Sequence, residues 1–420
     1  MYRLPIVFTL LSALIPASSA ALYEQTIKTK YGLVQGYPAF NSTPTGGLSH
    51  WKDITVWKGI PFAATTAGEN RWKVPQSVSP WKGTLDARDW GNVCPSATMG
   101  SDFTISEDCL NLNIWSPANS TNARLPVVMW SYPGLSTAAD PLFDGGGMAD
   151  KGVVYVSYNY RAATFGWLAT PELSAEFAKV SGSNSSGNWG LFDQIAALKW
   201  IHSNIASFGG DPDHIVVMGQ SAGSAATQHL LNSPLTKGLI KGAIIESGVR
   251  FPQDPLCTSL AEEYRNLSYA EKLGVDKWSQ RFFDLWQAND STTASGAYNS
   301  QWTDRSNVGT WMWARLWATT RSTPVFNYFW DHAPPGQSSG AYHESEINYV
   351  LNNLYATDLP WTTSDYAIAA TMNSYWVNFI KTGDPNGQNL IHWAPANDSQ
   401  QVQHVGNGWG SHSCGFRPED

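Results

Sequence analysis

Four continuous apolar runs of strand length stand out along the chain: "LPVVMW" (125–130), "GVVYVSY" (152–158), "HIVVMG" (214–219) and "GAIIES" (242–247). Their apolar residues run together instead of alternating with polar ones, which predicts strands buried on both faces, as in a mostly parallel sheet. Between the second and third lies "GNWGLFDQIAALKWIHSNIASFGGDP", where Leu191, Ile195, Leu198, Ile201, Ile205 and Phe208 recur at three and four residues. That spacing predicts one apolar helix face, ended by Gly209-Gly210 with Pro212 beyond. A second helix is predicted from Ser364, as its N-cap, to Lys381, where "TGDPNG" stops it. Nearer the N-terminus, "QTIKTKYGLVQGY" alternates polar and apolar residues around a Tyr-Gly turn and reads as a hairpin. Strand, helix, strand, turn, helix, strand is the layer pattern of an α/β protein. No internal repeat or low-complexity linker divides it.

Composition narrows the setting. The 420 residues are 42% hydrophobic and only 14% charged, enough for one large core. A net charge of −8 without Lys/Arg runs argues against nucleic acid or an anionic membrane as the main partner. The 21 tryptophans are expected to fill core and pocket walls. The first 20 residues, "MYRLPIVFTLLSALIPASSA", carry Arg3, an apolar run and small residues at Ser18 and Ala20. They read as a secretory signal peptide, too short to span a membrane, ahead of a single domain over 21–420. Acceptor motifs at Asn41, Asn119, Asn184, Asn266, Asn289 and Asn397 fit a secreted, extracellular glycoprotein. In an oxidising compartment Cys94 and Cys109 are expected to close a short disulfide loop. Cys257 and Cys414 remain, and the sequence does not decide between the connectivities. None has zinc-site spacing, so no metal or other cofactor is expected.

The candidate chemistry sits in "VVMGQSAGSAAT". Here Ser221 follows a strand and precedes a helix that opens with small residues. Gly219 and Gly223 flank it in the Gly-x-Ser-x-Gly spacing of a nucleophile elbow, where strand and helix approach closely beneath an exposed hydroxyl. The helix N-terminus adds a positive dipole end for a developing oxyanion.

With these residues in place, the chain resembles the type-B carboxylesterase/lipase family, cholinesterase-like α/β hydrolases that include secreted fungal members. The resemblance runs through "VWKGIPFA" (56–63), "SEDCLNLNIW" (106–115), "VSYNYR" (156–161) and the long block 187–223. It resumes in "FWDHAPPG" (329–336), "GAYHESEINYV" (340–350) and "YWVNFIKTGDPNG" (375–387). It implies the α/β-hydrolase fold: a mostly parallel central sheet, helices on both faces and an N-terminal antiparallel extension. It also implies that His343, in "AYHESE" beyond the strand "PVFNYFW", is the general base for Ser221. A small-molecule ester is then the expected substrate, hydrolysed through an acyl-enzyme. Ala222 supplies one oxyanion donor. The family's glycine triplet is replaced by Pro133, Gly134 and Leu135, of which Gly134 and Leu135 keep an N–H, provided Leu135 adopts the backbone angles required. The "DGGG" run at 144–147 is expected to be only a loop end before a helix. Arg71 with Glu107, and Arg161 with Asp193, resemble the family's structural ion pairs.

The triad acid is missing from its place. In this fold it lies between nucleophile and histidine, after an additional strand. Here "NLSYAEKLGVDKWSQ" passes straight into "RFFDLWQANDSTTASG", so an internal block near 273–280 is expected to be absent, leaving the sheet one strand short between "GAIIES" and "PVFNYFW". Candidate carboxylates in the interval include Glu246, Asp254, Glu271, Asp276, Asp284, Asp290, Asp304 and Asp331, and Glu246, following "GAII", is the weak candidate among them. After position 410 the short polar "SHSCGFRPED" departs from the final helix of the family. Two such departures point to a splice variant or a gene-model error, which sequencing the transcript across codons 270–285 and beyond 410 tests. Two readings of function follow. One is a secreted serine carboxylic ester hydrolase; the other is a catalytically impaired cholinesterase-like binding protein. Substrate preference and oligomeric state are left open.

Overall fold

The computed structural model describes the backbone of residues 21–96, 103–248, 291–396 and 401–413, and the side chains of all these except 291–305 and 413. Residues 1–20, the region near 273–280, Cys257, Cys414, and Asn266, Asn289 and Asn397 lie outside the described residues.

The predicted hairpin is present: β1 (Thr26–Lys28) pairs antiparallel with β2 (Leu33–Gln35), and β5 (Thr84–Asp86) completes this small sheet. The central sheet has seven strands: β3 (Tyr37–Pro38), β4 (Thr55–Pro61), β6 (Asn111–Ser116), β7 (Leu125–Ser131), β8 (Val154–Tyr158), β9 (Gly210–Gln220) and β10 (Gly242–Glu246). Their spatial order is β10-β9-β7-β8-β6-β4-β3. The strands from β10 to β8 run parallel, and β6, β4 and β3 extend the sheet antiparallel. All four apolar runs became the parallel strands, with β8 buried at every residue and β9 buried from Ile215 to Gln220. β4 and β6 escape an apolar-run reading because they carry buried polar residues that hydrogen bonds satisfy. Asn113, for example, donates to Ser157 Oγ at 3.1 Å and accepts from Gly59 N–H at 3.0 Å.

Helices cover the sheet. After α1 (Gly146–Asp150), α2 (Ala163–Trp167) and α3 (Pro171–Ser181) comes α4 (Trp189–Asn204), the predicted long helix. Its last turn tightens into a 3₁₀ segment, Ile205–Phe208, closed by Gly209 in the left-handed region at φ 81°. Ile195, Leu198, Ile201, Ile205 and Phe208 are buried, and so are Gln194 on the same face and Asp193 on the opposite one. The "DGGG" run is a loop end entering α1, as expected.

Then follow α5 (Ala222–Asn232), α6 (Ser291–Thr320), α7 (Ile347–Leu351) and α8 (Thr363–Thr382). The N-cap of α8 is Thr362, not Ser364. Thr362 Oγ1 accepts from Asp365 N–H, and the Asp365 carboxylate accepts from Thr362 N–H at 2.8 Å, a reciprocal capping box. Four tryptophans, Trp57, Trp115, Trp130 and Trp189, are fully buried in the core.

β11 (Asn327–Trp330) does not join the central sheet. It pairs parallel with β12 (Gln401–Val405), which forms an antiparallel hairpin with β13 (Gly410–Ser413). Among the described residues nothing pairs with the outer edge of β10 or with the second edge of β11. Among the described residues the sheet is thus open at β10, on the side where a strand was expected to be missing. α8 bridges β10 and β11: Trp376 donates to Glu246 Oε1 at 2.6 Å and packs on Tyr328 with ring centroids 5.0 Å apart.

Candidate active site

The turn between β9 and α5 holds Ser221 at φ 55° and ψ −118°, a conformation that costs a non-glycine residue about 1–3 kcal/mol. Close packing enforces it. A Cβ at Gly219 would lie 2.4 Å from Gly223 O, and one at Gly223 would lie 1.9 Å from Ser131 O. Both flanking positions must be glycine because α5 presses backbone to backbone against the end of β7. Ser221 N–H donates to Glu246 O at 2.9 Å, tying the turn to the end of β10.

Strain gathers at this end of the sheet. Of nine described non-glycine residues with positive φ, four are Leu135 after β7, Ser221 after β9, Ser247 after β10, and Glu344 beside His343. Backbone conformations of this kind concentrate at functional sites.

His343 lies in the turn between β11 and α7. Trp330 at the end of β11 donates to Ser345 Oγ at 2.8 Å and anchors that turn. The imidazole reaches the residue next to the nucleophile: Gln220 Nε2 is 3.5 Å from His343 Nδ1. His343 is exposed, and partial loss of solvation, which disfavours the imidazolium, holds its pKa below the ordinary imidazole value. Ser221 and His343 are not hydrogen-bonded to each other; in unliganded hydrolases such contacts commonly tighten only around substrate.

Ala222, the first residue of α5, is exposed, as are Gly134 and Leu135. The loop after β7 adjoins the elbow, since a Cβ on Gly134 would sit 3.5 Å from Ala222 Cβ. Leu135 adopts the left-handed conformation at φ 66°, so the replaced glycine triplet keeps a glycine-like backbone there.

No described carboxylate bonds directly to His343. Glu246 is a correction to the sequence reading: its side chain is fully buried and turned to Trp376, and it touches the nucleophile only through its backbone carbonyl. Burial, with Glu346 second, raises its pKa well above the ordinary glutamate value. Asp331 pairs with His404 and accepts from Asn407 N–H, away from His343. Asp254, Glu271, Asp276, Asp284 and Asp290 lie outside the described residues, as does the side chain of Asp304.

A carboxylate linked to His343 through Gln220 was missed because it follows the histidine in the chain. Glu346 Oε1 accepts from Gln220 Nε2 at 3.4 Å and from Ser247 Oγ at 3.0 Å. "HESE" and the glutamine of "GQSAG" were the available signals, but only folding joins positions 126 residues apart.

The remaining expectations are structural. Arg71 pairs with Glu107. Arg161 and Asp193, both buried, share two charge-assisted hydrogen bonds at 2.8 and 2.7 Å. Cys94 and Cys109 form a disulfide with Cα atoms 5.0 Å apart. Among the described residues no cluster of His, Cys, Asp or Glu is arranged to hold a metal.

A parallel sheet under helices, with a strained serine between strand and helix and a histidine turn beside it, defines an α/β hydrolase. The chain belongs to the carboxylesterase family, whose model matches residues 23–306 and 262–409. It is 43% identical over 231 residues to the fumonisin B1 esterase of Sphingopyxis macrogoltabida, an alignment covering 53% of this chain and 40% of that protein. The chain thus spans less than half the length of that relative. It is 27% identical to the bile salt-activated lipase of Rattus norvegicus, covering 94% of this chain and 83% of the lipase. That alignment runs over 534 positions, longer than this whole chain, so the lipase carries segments that this chain lacks. The Geobacillus stearothermophilus carboxylesterase EST55 superposes with a TM-score of 0.71 at 25% identity, covering 93% of this chain and 98% of that one.

Proposed function

We propose that the protein is a secreted serine hydrolase of small-molecule carboxylic esters. Ser221 attacks the ester carbonyl while His343 takes its proton, and the protonated imidazole then releases the alcohol. Water, deprotonated by the same histidine, hydrolyses the acyl-enzyme. The N–H groups of Ala222, Gly134 and Leu135 hold the oxyanion. The observation that carries this reading is the strained conformation of Ser221, φ 55° and ψ −118°, built by two glycines whose Cβ positions are filled by backbone. A turret of this kind has no packing purpose of its own.

The relatives support the substrate class, since one is named for fumonisin B1 esters and another is a bile salt-activated lipase. The leader-like residues 1–20, the Cys94–Cys109 disulfide and exposed acceptor asparagines at 41, 119 and 184 support secretion as a glycoprotein. The overlap of the two family-model matches over 262–306, and the long lipase alignment, support an internal break in the family pattern. A second reading, an impaired cholinesterase-like binding protein, draws on one observation: no described carboxylate bonds to His343. Hydrolysis of p-nitrophenyl butyrate by the wild type, Ser221→Ala and His343→Ala decides between them. Activity lost in both variants supports the enzyme; a folded, inert wild type supports the binding protein.

A further inference from the structure

We propose that Glu346, acting through the side-chain amide of Gln220, sets the tautomer of His343 and thereby switches the base on and off. This rests on the reading of Ser221 and His343 as nucleophile and base.

The geometry is a three-residue chain. One atom, Gln220 Nε2, lies 3.5 Å from His343 Nδ1 and 3.4 Å from Glu346 Oε1. Gln220 is fully buried, and its Oε1 has no hydrogen-bond partner. Gln220 is also the one hydrogen-bond partner of the imidazole among the described residues. The two ends of an amide have nearly the same shape and opposite hydrogen-bonding character, so Gln220 has two orientations to choose between.

Each orientation fixes a different imidazole. With the NH₂ inward, Gln220 donates to an ionised Glu346 and to His343 Nδ1. The imidazole proton then sits on Nε2, and no lone pair is left to accept from Ser221 Oγ. With the amide reversed, Oε1 accepts from His343 Nδ1–H, and Nε2 is bare and basic. Oε1 then also faces Glu346, which must donate, so its carboxyl is protonated. The proton on Glu346 comes from solvent. The imidazole is neutral in both states, with its single proton moved from Nε2 to Nδ1. Gln220 and Glu346 are therefore positioning residues, and they stand where a triad carboxylate would bond the imidazole directly.

The surroundings favour a neutral Glu346. The titratable groups interacting with it are Glu246 from β10, Tyr328 from β11 and Glu344 from its own turn, while His343 reaches it through Gln220. Burial raises the Glu346 carboxyl, while Ser247, Gln220 and its own backbone N–H pull it back. Glu246, itself buried, is raised in turn by Glu346. Activity then requires His343 neutral and Glu346 protonated, which gives a rate that rises with pH and falls again as Glu346 ionises.

The test is the pH dependence of kcat/KM for p-nitrophenyl butyrate. Wild type is expected to show both limbs. Glu346→Gln, whose amide donates to Gln220 Oε1 at every pH, is expected to lose the alkaline fall. Gln220→Leu is expected to lower kcat toward the about 10⁴-fold deficit of a mis-set tautomer, with KM changed little. An alkaline limb unchanged in Glu346→Gln, or a wild-type kcat in Gln220→Leu, overturns the proposal. Ser221→Ala and His343→Ala run alongside separate the two levels of inference: activity persisting there sinks the esterase reading itself. Should the variants fail to fold, ¹⁵N-histidine NMR of wild type reads the tautomer directly. A change of His343 from Nδ1–H to Nε2–H as pH rises supports the switch, and one tautomer throughout refutes it.

Discussion

Replacing Gly223 with alanine is a sharp perturbation of the elbow, because its size is fixed by three backbone atoms. The new Cβ would lie 1.9 Å from Ser131 O, 2.5 Å from Ser131 C and 2.6 Å from Tyr132 O, where real Cβ contacts essentially never fall below 3.0 Å. Ser131 ends β7, a buried central strand paired on both sides, and cannot yield. The relief must come from α5, which has to withdraw by about 1 Å, taking Ser221 and Ala222 with it. Overpacking of this kind destabilises by about 1–3 kcal/mol. Misplacing a nucleophile by about 1 Å costs about 10²-fold in rate. The expected result is therefore a folded protein with a lowered melting temperature and kcat for p-nitrophenyl butyrate down about 10²-fold. Gly408→Ala is the control, since a Cβ there meets nothing within 4 Å. A wild-type kcat in Gly223→Ala refutes the claim that backbone packing positions Ser221.

Other consequences are equally direct. Glu246 carries a raised pKa when folded, so the native state binds a proton that the unfolded chain has released. Stability therefore falls as pH rises above the ordinary glutamate value, by about 1.4 kcal/mol per unit until the folded group ionises. Glu246→Gln keeps an acceptor for Trp376 and should flatten that decline in melts taken from acid to alkaline pH; an unchanged slope contradicts it. Leu135→Gly should retain ester hydrolysis, because the donor is the backbone N–H at a φ that glycine prefers; a tenfold loss, roughly, would assign the work to the side chain. Cys94→Ser with Cys109→Ser should lower stability by about 3 kcal/mol in denaturant titration, the entropy of a 15-residue loop; an unchanged midpoint contradicts it.

What could be read in advance follows from where the information sits. The parallel strands were legible because they are written as unbroken apolar runs, which β8 buries at every residue and β10, at the open edge, only half-buries over 242–245. The elbow was legible because its geometry demands glycines at fixed spacing. β4 and β6 were hidden by buried asparagine, serine and threonine, whose fitness depends on hydrogen-bond partners from elsewhere in the chain. The start of α8 was misplaced by two residues, because Ser364 and Thr362 are equally good caps until Asp365 closes the box on Thr362. The Gln220–Glu346 pair was illegible for a different reason. Triad order directs the search for an acid to the residues before the histidine, and the carboxylate that shares Gln220 with His343 comes three residues after it. Glu246 looked attractive as a residue just beyond an apolar strand, but the alternation of that strand turns its side chain toward Trp376 and away from the imidazole.

Mass-spectrometric mapping of the site labelled by a fluorophosphonate probe tests the central claim most directly. The probe reports only a serine hydroxyl that a neighbouring base has activated. Labelling is predicted on the peptide containing Ser221 alone, lost in both Ser221→Ala and His343→Ala. A folded wild-type protein that takes up no probe, or label persisting in Ser221→Ala, would contradict the account.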